Sequence, residues 1–260
     1  MEFDSDDIEA GTHALDVAGK VLPKTMAEID TIGESVFGLF NTIFTPISLL
    51  NYKLEYIRED FKTRLNKKVQ TVPEEKRCES PRYIVGPALE NLKYSYDEEY
   101  LRNLYINLIA SSMDTNNRSE LHPSFVQIIQ ALSYLDAVVF EQIYKTKHTI
   151  IASEVALMIG ESRLLIDDYP LYFVEEFEDV GDPHLVSSAF SNLFRLGLVS
   201  IESEATEIIF EGKILRNKFI RSVYKKYKTQ HVKIRPRLYN TVGITLTDFG
   251  KIFGKICLSK

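Results

Sequence analysis

The chain has no tryptophan, two cysteines, five histidines, nine prolines and twelve glycines among 260 residues. Each shortage closes off a class of protein. Cys78 and Cys257 lie far apart in sequence, so they build neither a disulfide framework nor a cysteine-rich zinc site, and such sparse usage fits a reducing compartment. The histidines, at positions 13, 122, 148, 184 and 231, are scattered, with no second His or Cys at metal-ligand spacing. Scarce Gly and Pro exclude collagen-like and linker-dominated chains. Charge of one sign is not in large excess: 31 Lys and Arg stand against 37 Asp and Glu, a net −6, which argues against coating nucleic acid through overall charge. There is no Gly-rich Walker loop, no GxGxxG after a strand and no GxSxG nucleophile elbow. The expectation is therefore no catalytic residue, no cofactor and no metal.

An apolar fraction of 45% is enough to bury a core and excludes global disorder. The length suits two or three domains. Glu2, Asp4, Asp6, Asp7 and Glu9 stand where a secretory signal would carry basic residues. That points to a cytoplasmic protein, with peripheral contact at the inner membrane face as the membrane role left open. Ser35 to Tyr52 has no charged side chain, but Pro46 interrupts it and Asn41 and Asn51 are costly at depth, so a simple bilayer span is not expected.

Residues 1–72 read as an N-terminal helical association region. Val36, Phe40, Ile43 and Ile47 form an apolar stripe with Phe37 and Phe44 beside it. Ser35, Gly38, Thr42 and Thr45 form a stripe of small residues on another face, of the kind that lets a second backbone come close. Thr45-Pro46 resembles an N-cap followed by a first-turn proline, which predicts a new helix from Pro46 to Lys68 with a seam of Ile47, Leu50, Leu54, Ile57, Phe61 and Leu65. Gln70 to Pro81 is a linker by composition.

Residues 73–132 read as a central helical domain of three helices: Tyr83 to Tyr94, a helix capped by Asp97, and one opened by Pro123. Residues 133–260 change character. Ser133-Tyr-Leu-Asp136 looks like a capping box. Ile150-Ile151 is a short β-prone pair ahead of a helix predicted over 153–159. Asp182-Pro183 starts a helix that Gly197 ends, and its outward residues are expected to be His184, Ser187, Ser188, Ser191 and Arg195. Residues 198–202 and 243–247 pair as a hairpin, and Thr247 begins a last helix. The fold class expected is mostly α: N-terminal amphipathic helices, a central helical domain, and a C-terminal winged-helix-like α+β domain with a long basic insert in the wing.

Charge is uneven. The segment from Gly212 to Thr247 holds ten cations and no acid: Lys213, Arg216, Lys218, Arg221, Lys225, Lys226, Lys228, Lys233, Arg235 and Arg237. The segment carries +10, so the rest of the chain carries −16. Phe219, Tyr224, Tyr227 and Tyr239 are interleaved, a composition suited to tracking phosphates, with aromatics able to stack on bases or rest at a lipid interface. The segment from Glu161 to Asp182, with eight acids and one Arg, offers the alternative of pairing within the chain. His122-Pro123-Ser124-Phe125 is read as a loop end capping the helix that follows rather than as an acid–base site. The run Glu175-Glu176-Phe177-Glu178-Asp179 is read as a solvated face.

The stretches PRYIVGPALENLKYSYDEEYLRNLYINLIASSMD, LHPSFVQIIQALSYLDA and LTDFGKIFGKIC resemble the bacterial abortive infection alpha family over residues 35–258. The resemblance is densest from Pro81 to Ala137. It implies defence against bacteriophage as a self-limiting or toxic effector, and it carries over no catalytic residues. The leading expectation is thus a phage-defence protein that acts by binding, oligomerisation or membrane contact. Its partners would be a second copy, an anionic polymer or membrane, or a phage or host protein. The association face would be Ser35, Gly38, Phe40, Thr42, Phe44 and Thr45, and the anion-binding face the ten cations. The alternative is a winged-helix nucleic-acid-binding protein that uses the basic insert 213–237.

Overall fold

Helix α1, Thr31–Ser48, and helix α2, Leu54–Val69, pack face to face through aromatic rings. The computed structural model describes residues 31–48, 54–146, 148–164, 168–202, 216–228 and 233–258. The break expected at Thr45-Pro46 is absent, because α1 runs through Pro46 to Ser48. A proline costs a helix one backbone donor and crowds the preceding turn, and two residues from the last helical position that loss falls where few further bonds depend on it. The Gln70–Pro81 connection is held in place. The Cys78 N–H donates to the Met113 carbonyl at 2.9 Å, and the hydroxyls of Ser80 and Ser112 bond to each other.

Four helices follow: α3 (Arg82–Ser95), α4 (Glu99–Ser112), α5 (Ser124–Ala131) and α6 (Tyr134–Lys145). Helix α4 is the hub. Every residue from Leu104 to Ser112 is buried, because α2, α3, α5, α6 and the C-terminal helix all pack around it. Its N-cap is Glu98, without a side-chain cap, and not Asp97 as expected. The capping box of α6 is present: the Asp136 carboxylate accepts from the Ser133 N–H at 2.7 Å, and the Ser133 hydroxyl accepts from the Asp136 N–H at 3.1 Å.

The C-terminal part contains β1 (Ile150–Ile159), β2 (Ser162–Leu164), α7 (Pro183–Arg195), β3 (Val199–Glu202), α8 (Lys218–Tyr227), β4 (Ile234–Leu246) and α9 (Asp248–Cys257). The strands form one antiparallel sheet in the order β2-β1-β4-β3. The overall class is mostly helical with a small antiparallel sheet toward the C-terminus. The helix expected over 153–159 is instead the body of β1. Ala, Glu, Leu and Met there favour helix locally, but β4 supplies a partner strand from Ile150↔Ile244 to Ile159↔Ile234, and that pairing prevails. The expected short strand at 243–247 is the end of this much longer β4, and it pairs with β3 from Val199↔Leu246 to Glu202↔Gly243.

A bulge divides the sheet. The β1–β4 register shifts between Ala152 and Glu154, where Asn240 on β4 takes φ of 44° and Ser153 pairs with Phe173 instead. Asn is among the residues that tolerate this left-handed region. Before the bulge, Ile150 and Ala152 join the main core, which runs from Val36 to Cys257 and draws on elements of all three expected segments. Beyond it, Val155 and Leu157 of β1 and Ile234 and Leu238 of β4 build a second core with Ile220 and Val223 of α8. Helix α9 is tied back to the hub: the Asn107 amide donates to the Cys257 carbonyl at 2.7 Å, and the Ser111 hydroxyl to that of Ile256 at 2.9 Å. Gly250 makes the close approach possible, since a Cβ there would lie 2.0 Å from the Leu198 carbonyl oxygen.

Candidate functional site

The two stripes of α1 have different fates. Phe40 and Phe44 are buried and stack on each other with ring centroids 4.1 Å apart, and Phe40 stacks on Phe61 of α2 at 4.5 Å. Phe44 also meets Tyr96 edge-on. The Phe-rich face is therefore turned into the protein. Ser35, Gly38 and Thr42 lie on the exposed face. Nothing stands within 4 Å of a Cβ built on Gly38, and the Thr42 hydroxyl turns back to the Gly38 carbonyl. The Thr45 side chain lies outside the described set.

The basic segment folds into α8 and the first half of β4, with Lys213 outside the described residues. Arg216, Lys218, Arg221, Lys225, Lys226, Lys228, Lys233, Arg235 and Arg237 are all exposed. The fold divides them. Asn217 caps α8 by accepting from the Phe219 N–H at 2.8 Å, and Ile220 and Val223 turn inward. This orientation aligns Lys218, Arg221, Lys225 and Lys228 at spacings of three, four and three along the opposite face. Arg235 and Arg237 pair across the sheet with Met158 and Ala156, on the face away from α8. Among the described residues, one ion pair joins the basic and acidic segments, Lys226 with Asp168 at 3.3 Å. Elsewhere in the acidic segment, Glu176 faces His148 at 2.9 Å and Asp182 caps α7.

The interleaved aromatics are engaged within the domain. Phe219 lies parallel to Phe173 at 6.1 Å, the Tyr224 hydroxyl donates to the Ile234 carbonyl, and that of Tyr227 to Asp168. The Tyr239 hydroxyl points to the Met158 sulfur, with the Arg237 guanidinium over its ring. Tyr169 closes the same layer by donating to the Ile220 carbonyl at 3.1 Å. Its burial, with the Asp168 charge beside it, pushes its phenol up to about 12.

His122 sits at the surface. Its Nδ1 accepts from the Ser124 N–H at 3.2 Å and bonds the Ser124 hydroxyl, while its ring meets Phe249 edge-on. This is a capping geometry for α5. On α7, His184, Ser188, Ser191 and Arg195 are exposed. Ser187 is not outward as expected; it is buried and accepts from the Tyr172 N–H. Among the described residues no cluster of three His, Cys, Asp or Glu side chains could hold a metal ion, and no helix is long and apolar enough to cross a membrane. Asp168 is the site residue that the sequence does not single out. It is one of eight acids in a run, and α8 reaches it only once the sheet has formed.

No curated protein and no solved structure matches the chain. The abortive infection alpha family model matches residues 53–257, from the start of α2 to the end of α9. That span includes the central helices, the sheet and the cationic helix, and the chain therefore belongs to the abortive infection alpha family.

Proposed function

We propose that the protein serves phage defence by binding rather than by catalysis, and that its working surface is the cationic face of α8, offered to a nucleic-acid backbone. The observation that carries this reading is the stripe Lys218, Arg221, Lys225 and Lys228. These four exposed cations span ~15 Å of helix and have no carboxylate within 4 Å among the described residues. Lys218 even occupies the first turn, where the helix dipole disfavours a cation. An interfacial membrane helix needs its apolar face free to enter the lipid. Here Ile220, Val223 and Phe219 are packed on the sheet and on Phe173, so the helix has charge to offer and little apolar surface.

In this reading residues 133–260 are a winged-helix-like domain, with α7 in the recognition position, β3 and the end of β4 as the wing, and residues 203–242 as its insert. Helix α7 brings one firm positive charge, Arg195, which is already engaged by Asn192 at 2.7 Å, so the insert supplies the electrostatic contact. The central helices, 73–132, connect this domain to the N-terminal region, whose exposed Ser35, Gly38 and Thr42 face a second copy. The test is binding of the full chain to duplex DNA and to anionic vesicles across salt. Four engaged cations give a slope of log affinity against log salt of about −3.6 for DNA, at about −0.9 per phosphate. Binding that ignores salt, or that is confined to vesicles, overturns the nucleic-acid reading.

A further inference from the structure

Strand β4 carries cations that the α8 surface does not use. Ile234 and Leu238 turn toward α8 in the second core. Successive side chains of a strand point to opposite faces, so Arg235 and Arg237 point the other way. Both are exposed, and Lys233 is exposed just before the strand begins. The two arginines sit ~6.8 Å apart along the strand, at ~3.4 Å per residue. Their partners across the ladder are Met158 and Ala156, so β1 sets no charge opposite them. The carboxylate that β1 does bring to this face is Glu154, which stands across from Tyr239 and accepts from the Asn240 amide at 2.7 Å. Among the described residues neither guanidinium has an ion-pair partner; that of Arg237 lies over the Tyr239 ring at 5.9 Å.

The sheet beyond the bulge and the helix packed on it therefore form one unit with charge on both sides. One row, Lys218, Arg221, Lys225 and Lys228, runs along α8; the other stands on the far face of β4. Both are mounted on the same core, where Ile234 and Leu238 pack with Ile220 and Val223. The Tyr169 hydroxyl ties that layer to the Ile220 carbonyl at 3.1 Å. A helix with its side chains is about 10–12 Å across, and the sheet adds to that. The rows are thus separated by more than the screening length, about 8 Å at physiological salt, so a polyanion on one row leaves the charge of the other available. An arginine offers a phosphate two parallel N–H donors, which gives the far face its grip with few cations.

Resting on the α8 reading above, we infer that this unit holds two nucleic-acid segments at once, one on α8 and one on Arg235 and Arg237, so that a single molecule bridges them. The test uses duplex DNA fixed to beads, incubated with the full chain and then with a free fluorescent duplex. Wild type binds the beads and captures the free duplex. Arg235→Gln with Arg237→Gln keeps the wild-type melting temperature, binds the beads within about twofold of wild type through α8, and captures about tenfold less free duplex. Arg221→Glu with Lys225→Glu loses capture as well, because one of the two faces is gone. If the glutamine pair melts early, Arg235→Glu alone, at an exposed position, decides. A self-associated chain with two α8 faces also joins duplexes, but its capture survives the glutamine pair, and that result overturns the second site. So does a wild type that binds the beads and captures nothing, or that captures phosphatidylserine vesicles in place of DNA; each of these leaves the α8 reading standing. No binding to the beads at all rejects both.

Discussion

Phe40 and Gly38 lie two residues apart on one helix, and their replacements should move stability in opposite directions. Phe40 is 1% exposed and lies between the rings of Phe44 and Phe61. Truncating a buried Phe to Ala costs about 3–5 kcal/mol in transfer free energy and cavity, and stacked pairs of this kind contribute about 0.5–1.5 kcal/mol each beyond their buried area. Phe40→Ala should therefore destabilise the chain by about 3–5 kcal/mol. Gly38 has nothing within 4 Å of an added Cβ and no left-handed φ. Leu at that helical position regains about 0.5–1 kcal/mol of helix propensity. The assay is urea unfolding followed by two optical probes, with light scattering over a range of protein concentrations. Gly38→Leu should raise the midpoint and Phe40→Ala should lower it. If the open face seats a second copy, Gly38→Leu also weakens self-association while the folded chain itself gains stability. A Phe40→Ala midpoint within about 0.5 kcal/mol of wild type, or a comparable loss in both variants, would refute the assignment of inner and outer faces.

Gly250→Ala should destabilise by about 3 kcal/mol or more, because the new Cβ meets the Leu198 carbonyl oxygen at 2.0 Å; a melting temperature unchanged from wild type would contradict the packing of α9 on the Leu198 backbone just before β3. At Asp60, burial raises the carboxyl pKa, but hydrogen bonds from Arg64 and Tyr96 and the nearby guanidinium charges hold it below the usual carboxylate value overall. Its stabilisation is thus present above the unfolded pKa and lost as pH falls through the folded one, so acid unfolding should show an added loss below about pH 4 that Asp60→Asn lacks. His122→Asn keeps a capping side chain but removes acid–base capacity, so protection against phage should persist; its loss with unchanged expression and melting would favour chemistry at that residue.

Local punctuation was legible in the sequence. Ser133 with Asp136, Asp182 with Pro183, Gly197 and Thr247 each bound their elements as expected, because a cap is a contact between residues two or three apart. What depended on distant partners was not legible. Residues 154–159 are rich in helix-forming side chains and become a strand through pairing with 234–239. Pro46 looked like the start of a helix and lies near the end of one, since packing of the α1 aromatics on α2 outweighs one missing donor. The ten cations were visible as a composition. Their division into a stripe on α8 and two arginines on the far face of β4 required the β1–β4 register and the bulge beside Asn240.

The reading that α8 offers its charge outward is tested most directly by separating two cations on that helix. Arg221 and Lys225 have no carboxylate partner among the described residues, whereas Lys226 pairs with Asp168 on a partly exposed surface. Melting temperature and DNA affinity are measured at several salt concentrations for wild type, for Arg221→Glu with Lys225→Glu, and for Lys226→Glu. The double reversal should leave melting unchanged, weaken DNA binding, and take about 1.8 from the magnitude of the salt slope, at about 0.9 per phosphate contact. Lys226→Glu should lower stability by about 1 kcal/mol or less, as expected of an exposed ion pair. A wild type that binds no DNA, together with a double reversal that melts early, would contradict the account and assign the basic segment to pairing within the chain.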